Sequence, residues 1–174
     1  MIVDSHCHAS LVWYAPIESL LHEMDRNGVD RAILIQIIGE YDNTYQTECV
    51  RQHPDRLASV VHINGNEAAA PSVLERLATE GAVGIRLGAD IRSPGDDPLA
   101  VWRAAEGLGL VVSCYRTGTD PALVVELLTA LPALKIVLEH FTARANSPTV
   151  CRARVRRACR VARRRSTAMG KTAG

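Results

Sequence analysis

The sequence predicts an α/β fold built on a parallel sheet. Three observations lead there. Short apolar runs alternate with stretches of helical spacing, the unit recurs about every 25–30 residues, and the strand runs are apolar almost throughout, as in a sheet covered on both faces. The pattern occupies residues 1–142 of a 174-residue chain. An open doubly wound sheet and a (βα)8 barrel both fit it. No GxGxxG follows the first strand, so the dinucleotide-binding version loses support. A barrel has eight strands and roughly 250 residues. Six strands can be found here, so a barrel made from this chain is incomplete.

The elements follow in order. Met1 to His6 is a strand. Ile17 to Asn27 is a helix, with apolar residues at 17, 20, 21 and 24 and Gly28 as its stop. Arg31 to Gln36 is a buried strand by its branched residues. Asn43 to Gln52 is a helix that ends before Pro54. Leu57 to His62 is a third strand. Pro71 to Glu80 is a helix with proline near its start and Gly81 after its end. Val83 to Leu87 is a strand, Pro98 to Gly107 a helix, and Leu110 to Cys114 a strand. Asp120 caps a helix running to Leu131, with Pro121 at its first position. Ala133 to Glu139 is the sixth strand.

Composition sets the class. Apolar residues make up 47% and charged residues 22%, the balance of a soluble globular protein. No apolar run reaches the roughly 18 residues of a membrane span. The first residues lack a basic stretch and apolar core of a signal peptide. Cys7, Cys49, Cys114, Cys151 and Cys159 are scattered, with no CxxC, which suits free thiols in a reducing compartment. A cytoplasmic protein without membrane partners is expected.

The net charge of +1 hides a split. All 19 acidic residues lie in 1–139, whereas 140–174 holds 10 basic residues and none that is acidic. From Ser147 onward there is no Leu, Ile, Phe, Tyr or Trp. Residues 143–174 are therefore read as an irregular basic tail, distinct from the domain at 1–142. Eight arginines between Arg152 and Arg165 would suit nucleic acid through counterion release. The stretch lacks interleaved aromatics, so nucleic-acid binding is the secondary reading. Loss of acidic and large apolar residues in favour of Arg, Ala, Thr, Cys and Gly is what GC-rich DNA yields in a shifted frame. A frameshift shortly after Phe141 is the preferred expectation for the tail.

The chemistry begins at Asp4, His6 and His8, a D-x-H-x-H at the end of the first strand. Alternation points all three to one face. In a barrel, the C-terminal ends of strands face the active-site mouth. Two neutral imidazoles there can share a divalent ion. Asp4 would orient a ligand from behind.

Here the chain resembles a family. I-V-D-S-H-C-H opening a βα array is similar to the first-strand motif of the amidohydrolase superfamily. G-V-D-R-A-I-L-I-Q at 28–36, Y-D-N-T-Y at 41–45, H-P-D-R-L at 53–57, G-A-V-G-I-R-L at 81–87 and L-P-A-L-K-I-V-L-E-H-F at 131–141 resemble its amidohydrolase-related branch. That branch includes lactonases and aromatic-acid decarboxylases. The resemblance implies an incomplete (βα)8 TIM-type barrel of about six units. It implies a hydrolase acting on a small lactone or related carboxylic substrate, with His6 and His8 as metal ligands. His140 matches the histidine that closes the sixth strand and polarises substrate or activates water. The implied cofactor is a divalent metal, zinc being the expected ion, although some lactonases of the branch work without one.

The chain also departs from the family pattern. Metal-holding members place a histidine at the end of the fifth strand; this chain has Val112-Ser113-Cys114-Tyr115, where Cys114 could ligate as thiolate but the family pattern gives no warrant for it. The family's catalytic aspartate closes the eighth strand, and no acidic residue follows Glu139. A non-catalytic remnant, self-associating or aggregating through open sheet edges, is thus the rival expectation for the chain itself. Among smaller signals, Arg86 would clamp a substrate carboxylate by its planar fork or pair with a neighbouring protein carboxylate. His62 either lines the mouth or is structural. Tyr14, Tyr41 and Tyr45 fall on loops or loop ends. Cys7 faces the core, and His22 and His53 the surface.

Overall fold

The computed structural model describes residues 1–115 and 121–139. Six parallel strands alternate with five helices among these residues: β1 (Val3–Cys7), α1 (Ile17–Asn27), β2 (Arg31–Ile35), α2 (Thr44–Gln52), β3 (Leu57–His62), α3 (Ala70–Thr79), β4 (Ala82–Gly88), α4 (Ala100–Gly107), β5 (Val111–Tyr115), α5 (Pro121–Ala130) and β6 (Lys135–Leu138). The order in the sheet is β1-β2-β3-β4-β5-β6. A doubly wound sheet reverses its strand order at a switch point. This one does not reverse, and it curls into a half-barrel. The fold is an incomplete TIM-type barrel, as the resemblance implies.

Local chemistry accounts for the element ends. Gly28 sits in the left-handed region at φ 68°, where a side chain would be strained, and closes α1. The Val29 N–H reaches back to the Met24 carbonyl at 2.8 Å, consuming an otherwise orphaned acceptor. Pro71 lies in the first turn of α3, where its missing N–H costs nothing. Gly84 has another cause. A Cβ there would stand 2.5 Å from the Val111 carbonyl, so only glycine lets β4 and β5 approach this closely. Asp120, the expected cap of α5, lies outside the described residues, as do His140, Cys151, Cys159 and the basic tail at 143–174.

Alternation sorts the side chains into two layers. The outward residues Val61, Ile85, Leu87, Val112, Cys114 and Ile136 pack with Leu74, Leu77, Val101, Trp102, Val124 and Leu127 of the helices. Trp102 is fully buried, and its indole N–H donates to the Ile91 carbonyl at 2.9 Å. A second outer cluster gathers Cys7, Ile17, Met24, Ala32, Leu34, Cys49 and Leu57 around β1 and β2. Burying each large apolar side chain contributes roughly 1.5–3 kcal/mol. No helix among the described residues is long and apolar enough to cross a membrane.

Candidate active site

The inward face of the same strands turns polar toward their C-terminal ends. His6 lies on β1 and His8 just past its end. Their rings meet edge to face, with centroids 5.0 Å apart. The β1–β2 register shifts between Asp4 and Cys7. The two imidazoles nevertheless converge. His8 Nδ1 lies 2.6 Å from the Ile35 carbonyl. A carbonyl can only accept, so Nδ1 carries the proton and Nε2 keeps its lone pair for a ligand. Tyr14 stacks on the His8 ring at 4.8 Å. Asp4 is exposed, and its carboxylate accepts the His6 backbone N–H at 3.0 Å. It bears on His6 through the main chain rather than through an imidazole.

Arg86 and Glu139 form the buried centre of this face. Their side chains are 5% and 2% exposed. Arg86 Nε donates to Glu139 Oε1 at 2.9 Å and Nη2 donates to Oε2 at 2.6 Å. Nη1 donates to the Gln36 carbonyl at 2.8 Å, and Ser113 Oγ donates to Glu139 Oε1 at 2.8 Å. A bidentate pair with both partners further bonded is the arrangement that offsets the cost of burying two charges. Burial pushes the Glu139 carboxyl up. Hydrogen bonds from Arg86 and Ser113, with the charges of Arg86 and His6, outweigh this and hold it below its ordinary value. Of the two expectations for Arg86, the structure shows pairing with a protein carboxylate; a substrate carboxylate would have to share the guanidinium with Glu139.

His62 ends β3 beside this pair. Its Nδ1 lies 2.9 Å from the Arg86 carbonyl. Burial pushes its pKa down, so the ring is neutral. Tyr45 is structural: its hydroxyl accepts the Ile17 N–H at 2.9 Å. Cys114 faces the helix layer rather than the mouth, and burial pushes its thiol up to about 11. Its direction takes it away from the position that a fifth-strand thiolate ligand would occupy. Cys7 also belongs to the core, its thiol pushed up to about 12 by burial and the nearby Asp4.

His6 and His8 supply two imidazole donors suited to a divalent ion. No group of three His, Cys, Asp or Glu side chains able to hold a metal forms among the described residues. The two histidines fit a metal as part of a donor set. A cavity of about 680 Å³ opens at the opposite, N-terminal end of the strands, lined by Val3, Ile33, Ala58 and Val83 among others. It contains none of the histidines, and in barrels that end serves stability.

Sequence reasoning did not single out Gln36, Asn43, Ser113, Tyr115 or Glu139. The signal was available for some. Ser113 in the middle of β5 and Glu139 just past β6 are polar residues in apolar runs, on the parity of Arg86.

The amidohydrolase family matches residues 3–174. No curated protein matches the chain. Solved structures share the fold. A probable 2-pyrone-4,6-dicarboxylic acid hydrolase from Acinetobacter baumannii is 23% identical with a TM-score of 0.62, over 81% of this chain and 58% of its own. A 2,6-dihydroxybenzoate decarboxylase from Rhizobium is 14% identical with a TM-score of 0.61, over 83% and 67%. A 5-carboxyvanillate decarboxylase from Novosphingobium aromaticivorans, with bound manganese, is 16% identical with a TM-score of 0.56, over 73% and 50%. The chain thus spans 58% of the length of the Acinetobacter protein. Because the family match takes in all six strands and both first-strand histidines, it assigns the chain: this protein belongs to the amidohydrolase family.

Proposed function

We propose that the chain carries the first-strand part of a hydrolase site for a small lactone or related carboxylic substrate, opened by attack of water on the carbonyl. The observation that carries this reading is the His6–His8 pair at the strand ends, with the His8 tautomer fixed by the Ile35 carbonyl. His6 and His8 would hold a divalent ion. The manganese of the carboxyvanillate decarboxylase supports a divalent ion, and imidazole donors suit zinc as well. Such an ion, when bound, lowers the pKa of its water and polarises a carbonyl. His140 follows Glu139 directly and would position the substrate; it lies outside the described residues. The Arg86–Glu139 pair lies within electrostatic reach of His6, and the neutral His62 adds a further polar group.

The test is hydrolysis of 2-pyrone-4,6-dicarboxylate by the full chain supplied with manganese. Turnover above the uncatalysed rate is expected, and its loss in His6→Ala and His8→Ala. Turnover retained in either variant would remove the histidines from the mechanism.

A further inference from the structure

The geometry points to a second binding determinant at the mouth: His62 is a fixed hydrogen-bond acceptor that seats a hydroxyl group of a ring-sized ligand between Tyr41 and Tyr115. The inference rests on the active-site reading only in placing the ligand at the strand ends; it does not require hydrolysis.

His62 is held from every side. Its residue surface is 3% exposed. Its backbone N–H donates to Asn43 Oδ1 at 3.0 Å, and its carbonyl accepts from Asn43 Nδ2 at 2.9 Å. The same Nδ2 donates to the Tyr41 carbonyl at 3.0 Å, so one amide sets Tyr41 relative to His62. The Tyr41 ring centroid lies 5.1 Å from that of His62, and the Tyr115 ring stands edge-on at 5.7 Å. Arg86 braces Tyr115, its guanidinium carbon 5.5 Å from the ring centre. Supporting groups of this kind fix a side chain before any ligand arrives.

The chemistry of the ligand group follows. Because the Arg86 carbonyl accepts from Nδ1, Nε2 holds a lone pair. Nε2 and the hydroxyls of Tyr41 and Tyr115 have no hydrogen-bond partner among the described residues. The Arg86 charge is matched by Glu139 at 2.6 Å, so the local field does not select an anion. A lone pair on a neutral ring repels a carboxylate and accepts from a donor. A hydroxyl is the donor that fits between two aromatic walls, with the tyrosine hydroxyls free to donate or accept in turn.

Long-range proton–nitrogen NMR of the full chain, with the histidines labelled, tests this without added metal. The probes are phenol, anisole and benzoate. Phenol is expected to shift the His62 Nε2 resonance, whereas anisole and benzoate leave it in place. Phenol affinity should fall about fivefold in His62→Phe, the loss of one hydrogen bond, and stay unchanged in Cys114→Ser. If His62→Phe does not fold, the wild-type discrimination and Tyr115→Phe decide. Equal shifts by phenol and anisole, preference for benzoate, or no shift by any probe would overturn the proposal. Lactone turnover can fail while the phenol response persists, so the two readings fall separately.

Discussion

Leu87 and Arg86 are neighbours on β4 and live in different media. Leu87 is fully buried among Ile85, Val112 and Trp102, with no polar partner needed. Arg86, one residue earlier, is nearly as buried and depends on Glu139 and the Gln36 carbonyl. Cys114 and Ser113 repeat the contrast on β5, and Cys7 and His6 on β1. The outer face is held by area, which is non-directional and tolerant of shape. The inner face is held by hydrogen-bonded charges, where one missing partner leaves a buried charge exposed to a low dielectric. A single strand therefore carries stability on one parity and chemistry on the other.

Breaking the inner face should have the largest effect. Glu139→Leu strands the Arg86 charge and should cost about 3–5 kcal/mol in urea unfolding, with most of it recovered in Arg86→Met/Glu139→Leu. A cost below about 1 kcal/mol would mean that the pair is not the organising element. On the outer face, Leu87→Ala should cost about 2–5 kcal/mol with the histidine pair undisturbed. Loss of divalent-ion binding in that variant would show that the faces are not independent.

Acid acts on the inner face through His62. His62 is buried neutral, so its folded pKa lies below the roughly 6.5 of an unfolded histidine. Below that pH the unfolded chain binds the extra proton. The His62 contribution to stability is therefore fully present above about pH 6.5 and lost as pH falls through the folded value. The melting temperature should drop between pH 7 and pH 5, less steeply in His62→Gln. An identical slope would remove His62 from the account. The smallest effect belongs to Asp4→Ala. Its carboxylate is exposed and the N–H it accepts can turn to water, so a loss within about 1 kcal/mol is expected by thermal unfolding.

Much of the fold was legible in the sequence because its signals are local. Gly28 fixed the end of α1, and the branched runs at 31–35 and 57–62 marked their strands. The choice between barrel and doubly wound sheet was not legible from periodicity, since both repeat the same unit; strand order decides it, and order is a long-range property. For the site, the i, i+2 spacing of His6 and His8 brings their rings together although the β1–β2 pairing shifts register beside them. The Arg86–Glu139 pair spans 53 residues of sequence, and nothing local to either residue names its partner. Asp4 shows the converse: its place in the motif suggests a ligand-orienting role, but its carboxylate serves the main chain.

Whether His6 and His8 hold a divalent ion is decided by a manganese titration of the full chain followed by electron paramagnetic resonance. Saturable binding is expected, weakened at least about tenfold in His6→Ala and in His8→Ala and unchanged in Cys114→Ser. Binding that survives both histidine variants, or that is lost with Cys114, would contradict a two-histidine site.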